Sequence, residues 1–198
     1  MKEEIISREL RLKYSQGSLN PIDINEHYLQ EVGIIDEANQ LNRGMLRIGS
    51  LGTNIIFSNK TEDEIIIKPT ELQIESKSEE RLIFIINKLK ASFGSLSIQS
   101  GAYNFDAHLL DDNYPQEIFE KYASTEGLML DVIQFKYSNN VSIAMYSCGE
   151  NKIHIKAMIQ NKIGRPLSNF DLKKDLEIEK LNNIYSKFKE KDLNIKLN

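Results

Sequence analysis

The spacing of apolar residues changes period along this chain, and each change marks an element. Leu72 and Ile74 alternate with Glu71, Gln73 and Glu75, the period-two pattern of a half-buried strand. Ser78 then stands as an N-cap, with Glu79 and Glu80 in the first turn, where carboxylates suit the positive end of a helix dipole. Leu82, Ile85, Ile86, Leu89 and Phe93 recur at helical spacing over residues 79–93, and Gly94 falls where a left-handed C-terminal cap is expected.

Upstream, Glu3 to Leu12 could form a charged helix. However, Leu10, Leu12 and Tyr14 alternate with Arg11 and Lys13, and Gln16-Gly17-Ser18 and Pro21 follow promptly, which predicts a strand. Asp23 or Asn25 caps a helix expected over residues 26–42, with Tyr28, Leu29, Val32, Ile35 and Ala38 on its buried face. Gly33 weakens that helix by about 1 kcal/mol relative to alanine and offers a place for it to break. Strands at 45–50 and 54–59 flank a Leu51-Gly52-Thr53 turn, and Ile65-Ile66-Ile67 opens the next strand after the turn at 61–64. Pro69 cannot donate to a ladder, so that strand is expected at an edge or bulged before Leu72.

Downstream, residues 95–110 read as a hairpin, with Leu96 and Ile98 before a Ser100-Gly101 turn and Tyr103, Phe105, Ala107 and Leu109 after it. Asp111-Asp112-Asn113 and Pro115 start a short helix carrying Ile118, Phe119 and Tyr122. A meander follows at 128–137, 141–148 and 152–160, turned by Asn139-Asn140 and Gly149-Glu150-Asn151. Ser168 or Asn169 caps a final helix bearing Ile178, Leu181, Tyr185 and Phe188. These elements predict an α+β fold with mainly antiparallel sheet and flanking helices, as a single domain over 1–198. The order helix, strands, helix recurs over 26–93 and 115–190. It suggests a pseudo-duplicated arrangement, with lobes 26–94 and 111–190 joined by the hairpin at 95–110.

Composition narrows the function classes. An apolar fraction of 40% and a charged fraction of 27% over 198 residues exclude a disordered chain and allow a substantial core. With 25 basic against 29 acidic residues, the net charge of −4 gives no electrostatic footprint for nucleic acid. Cys148 is the only cysteine, so no disulfide forms within the chain. No apolar run resembles a signal peptide or approaches the roughly 20 residues that span a bilayer. A cytoplasmic protein with no membrane partner is expected, and the heavy use of Ile, Lys and Asn suggests a bacterial or phage origin.

Candidate chemistry is sparse. Gly49-Ser50-Leu51-Gly52-Thr53 lacks the lysine and the following helix of a phosphate-binding loop, so it reads as a hairpin turn. Asp106 and His108, two apart on a strand, leave the same face and could supply an oriented general base or part of a metal site. Against this stands an ordinary solvent-facing polar edge. Asp131, between Met129 and Ile133, places a carboxylate on an apolar face or at a frayed strand start, and His154 on the last meander strand is a candidate partner. Cys148 could be a nucleophile with His108 or His154 as base, though a lone cysteine usually only packs. No cofactor is implied, and no metal is named by these residues. The absence of a catalytic motif, with eight tyrosines and eight phenylalanines available to an interface, leads to a non-enzymatic protein-interaction module: an adaptor, inhibitor or immunity-type partner of another protein, or a homodimer. The alternative is a small metal-dependent hydrolase or nuclease using Asp106, His108, Asp131 and His154.

Overall fold

The computed structural model describes residues 2–15, 19, 23–24, 26–34, 45–49, 52–58, 63–110, 132–148 and 152–189. Among the described residues nine strands follow in order: β1 Lys2–Tyr14, β2 Met45–Gly49, β3 Gly52–Ser58, β4 Glu64–Lys68, β5 Glu71–Ser76, β6 Ser97–Leu110, β7 Val132–Lys136, β8 Val141–Ser147 and β9 Lys152–Pro166. The α-helices are α1 Glu26–Glu31, α2 Glu79–Phe93, α3 Leu172–Asp175 and α4 Ile178–Lys189, with a 3-10 turn at Leu167–Asn169. Hydrogen-bonded neighbours run β2-β3-β4-β5-β1-β6-β9-β8-β7. The pairs β1–β5, β2–β3, β3–β4, β4–β5, β7–β8 and β8–β9 are all antiparallel. The fold is α+β and dominated by antiparallel strands. No helix among the described residues is long and apolar enough to cross a membrane.

Two compact units divide the chain, and their boundaries differ from the expected lobes. One comprises residues 8–103 and 160–176; the other comprises 1–7, 104–159 and 177–198. Strands β1, β6 and β9 each contribute residues to both.

In the 8–103 unit, α2 forms as its sequence dictates. Ser78 Oγ accepts from the Arg81 N–H at 3.2 Å, Glu79 and Glu80 occupy the first turn, and Leu82, Ile85, Ile86 and Leu89 are buried. These side chains belong to one core with Leu10, Leu12 and Tyr14 of β1, Ile65 and Ile67 of β4, and Leu72 and Ile74 of β5. The register aligns Ile65 with Ile74 and Ile67 with Leu72, so apolar cross-strand pairs share the buried face. Beneath the start of α2, Asp63 is only 4% exposed and accepts from Arg81 Nε and Ser76 Oγ, each at 2.6 Å. Arg81 Nη2 also donates to the carbonyl of Ile34.

The structure corrects several expectations here. Helix α1 ends at Glu31, at the break Gly33 was expected to offer: Gly33 takes φ +73, the left-handed conformation that stops a helix. Residues 35–42, with the expected apolar positions Ile35 and Ala38, lie outside the described residues. Pro69 and Thr70 turn a hairpin that pairs Lys68 with Glu71, so β4 and β5 are two strands rather than one bulged strand. Gly49 of β2 pairs with Gly52 of β3, so β3 begins at 52 rather than at the expected 54; Ser50 and Leu51 lie outside the described residues. Gly94 is right-handed (φ −57, ψ −28), and its constraint is space: a Cβ there would lie 2.8 Å from the Lys90 carbonyl. Gly101 makes no turn either. Residues 97–110 form one continuous strand, not a hairpin, and a Cβ on Gly101 would sit 2.7 Å from Ile163 Cδ1. Glycine lets that strand pass close under packed side chains. The expected final helix is interrupted: Asp171, not Ser168 or Asn169, caps α3, and Glu177 at φ +48 separates α3 from α4. The expected duplication reads here as helix, four strands, helix over the first half; the helix expected at 115 lies outside the described residues.

In the other unit, β7, β8 and β9 form the expected meander, with β9 extending to Pro166 rather than ending at 160. One face of it is apolar. Phe135, Ile143, Met145, Ile155 and Ala157 are buried there, as are Phe105, Ala107 and Leu109 of β6 and Ile178, Leu181 and Ile184 of α4. Tyr185 of α4 packs edge-on to Phe105 at 4.7 Å between ring centres and donates its hydroxyl proton to Glu3 of β1 at 2.8 Å.

Candidate functional site

Strand alternation builds the site, because each apolar residue turned to the core leaves its neighbours on the opposite face. On β6, burial of Phe105, Ala107 and Leu109 sends Asp106 and His108 the other way together. On β9, burial of Ile153 and Ile155 does the same for His154, and on β8 burial of Ile143 and Met145 does it for Tyr146. The meander register then sets Val132, Tyr146 and His154 in one row.

His154 is the hub. Its Nε2 lies 3.2 Å from Asp106 Oδ1. Its ring meets that of His108 edge to face, with centres 5.1 Å apart, and lies tilted against Tyr146 at 5.7 Å. His108 Nδ1 in turn lies 3.5 Å from Glu4 Oε2 on β1. The sequence of contacts is therefore carboxylate, imidazole, imidazole, carboxylate. Side-chain exposures of 25% for Asp106, 21% for His108 and 22% for His154 leave the group partly desolvated yet within reach of water. Burial lowers the His154 pKa below its ordinary value; the Asp106 charge and hydrogen bond oppose that shift, while Lys156 and His108 reinforce it. A neutral imidazole donating Nε2–H to Asp106 keeps Nδ1 as an acceptor, the arrangement that suits proton uptake or cation binding.

Three of the four candidate residues named from sequence, Asp106, His108 and His154, meet on one face. Asp131 lies outside the described residues. Cys148 is exposed just past β8, its N–H donating to the Lys152 carbonyl at 3.0 Å. Among the described residues, no three His, Cys, Asp or Glu side chains converge as a full metal cage requires. Two participants escaped the sequence reading. Tyr146 was recoverable in principle, since the Gly149-Glu150-Asn151 turn read from the sequence sets β8 against β9 and so Tyr146 against His154 once strand ends are known. Glu4 carried no local signal, because its place beside His108 depends on β1 lying next to β6.

The same face carries Met158 (40% exposed) and Val132 (44%), and Tyr137 just beyond β7 is 48% exposed. Among the described residues these are the exposed large hydrophobics, and all three belong to the meander. Elsewhere, in the 8–103 unit, an open groove of about 710 Å³ is lined by Lys13, Tyr14, Ser15, Lys68, Thr70, Glu71 and Gln99. Its Lys68 is held by Glu71 at 2.7 Å, so much of its charge is internally matched. No protein-family model matches the sequence, and no curated protein matches it.

Proposed function

We propose that the chain is a non-enzymatic protein-interaction module, an adaptor, inhibitor or immunity-type partner, and that the meander face is its contact surface. The observation that carries this reading is the row Val132, Tyr146, His154 with Met158 on the same face. Met158 pairs with Ser142, two rows along from His154 with Lys156 between them, and aromatic, methionine and other apolar side chains on one face with half-buried polar groups are a mixture that interfaces use. Neither the surface chemistry nor the net charge of −4 favours a nucleic-acid partner. A second copy of the chain is the simplest partner of this kind.

Size-exclusion chromatography with light scattering, on the tagged protein purified from its native host, tests the proposal. A stoichiometric complex or homodimer is expected, and Met158→Asp with Tyr146→Ala should abolish it while circular dichroism stays unchanged. A partner-free monomer, or a complex that survives both substitutions, refutes the reading.

A second reading draws on the meeting of Asp106 with His108 and His154: a small metal-dependent hydrolase or nuclease that would also use Asp131. Turnover of a generic phosphodiester that depends on added divalent metal and is lost in Asp106→Asn would favour it.

A further inference from the structure

We infer that His108 and His154 together form a binding site for a first-row divalent transition metal of the zinc and copper class, oriented by Glu4 and Asp106. The inference goes beyond the interaction reading and stands on the geometry of the four side chains alone.

Histidine ligands almost always place their second ring nitrogen against a carboxylate, carbonyl or water, which fixes the tautomer and raises ligand basicity. His154 shows that arrangement, with Asp106 Oδ1 3.2 Å from its Nε2, and Glu4 stands within ion-pair reach of His108 Nδ1 at 3.5 Å. His154 Nδ1 and His108 Nε2 would then be the coordinating atoms. Two imidazoles sharing one tetrahedral zinc, with metal–nitrogen bonds of about 2.0–2.1 Å, place their ring centres about 5 Å apart. The observed separation is 5.1 Å. The ligand type selects the metal: imidazole suits zinc, copper and nickel, whereas magnesium and calcium prefer all-oxygen shells. Because no third described ligand converges, water completes the coordination, and partial exposure gives the ion and its waters access. A two-imidazole site of this kind binds more weakly than a closed structural cage.

Isothermal titration of the full chain with zinc chloride alone, and separately with magnesium chloride, tests this. One zinc per chain and no magnesium uptake are expected. His108→Ala and His154→Ala should each weaken zinc binding at least tenfold. Asp106→Asn should weaken it about tenfold through lost orientation, and Tyr146→Phe should leave it unchanged. If His154→Ala unfolds by circular dichroism, His154→Gln replaces it. Zinc uptake that survives the double substitution of His108 and His154, or no uptake by the wild-type chain, overturns the site; the rings are then an edge-to-face packing pair. Wild-type affinity in Asp106→Asn overturns the orienting role. Any of these results leaves the test by light scattering intact, so the two proposals fail separately.

Discussion

Removing the Asp63 carboxylate should damage the 8–103 unit more than its position in a turn suggests. Asp63 is 4% exposed, and both its oxygens are engaged at 2.6 Å, one by Arg81 Nε and one by Ser76 Oγ. Arg81 is 28% exposed and also donates to the Ile34 carbonyl, so it ties α2 to the segment after α1. Breaking a fully buried ion pair by removing one partner costs about 3–5 kcal/mol, whereas exposed pairs are worth about 0–1 kcal/mol. One partner here is buried and the other partly wet, which puts Asp63→Ala at about 2–3 kcal/mol, including the Ser76 hydrogen bond of about 1 kcal/mol. Urea unfolding followed by circular dichroism measures it. The double variant Asp63→Ala, Arg81→Met should be less unstable than the sum of the single changes by at least about 1 kcal/mol, since the residues couple directly. A cost below about 0.5 kcal/mol for Asp63→Ala, or strict additivity in the cycle, would refute the reasoning.

Gly101→Ala should destabilise by about 1–3 kcal/mol, because its new methyl group meets Ile163 Cδ1 at 2.7 Å, Leu176 at 3.1 Å and Leu12 at 3.2 Å; a thermal melt that does not shift would show that the packing gives way freely. His154 should titrate below its ordinary value of about 6.5 by nitrogen NMR, because burial outweighs the pull of Asp106. A depressed folded-state pKa means that the unfolded chain binds more protons. The His154 contribution to stability is thus complete above pH of about 6.5 and is lost as pH falls through the folded-state value. His154→Gln should flatten stability between about pH 5 and 7, and an unchanged slope would contradict the assignment.

Local signals read this chain well where they were self-contained. The cap, first-turn carboxylates and apolar stripe of α2 lie within sixteen residues, and the structure reproduces all three. The meander was equally legible, since its turns and alternation need no distant information. The two glycines depart from expectation for one reason. Gly94 caps α2 as expected but in a right-handed conformation, and Gly101 makes no turn; both answer to close approach by side chains or carbonyls. At Gly101 the misreading folded one continuous strand into a hairpin. Asp63 was likewise read as part of a turn, because its partner Arg81 lies 18 residues on. The site followed the same rule. Alternation placed Asp106, His108 and His154 on outward faces, but only strand order could bring β6 beside β9 and Glu4 to His108.

The hydrogen bond from Tyr185 to Glu3 has a consequence for biosynthesis. Its partners are 182 residues apart, and at about 5–20 residues per second the ribosome delivers the second several seconds or more after the first. The opening stretch of β1 must therefore wait for its sheet neighbour β6, and longer still for the side-chain contact that α4 brings. Such a wait exposes a nascent chain to mispairing, and it gives chaperones a defined segment to guard.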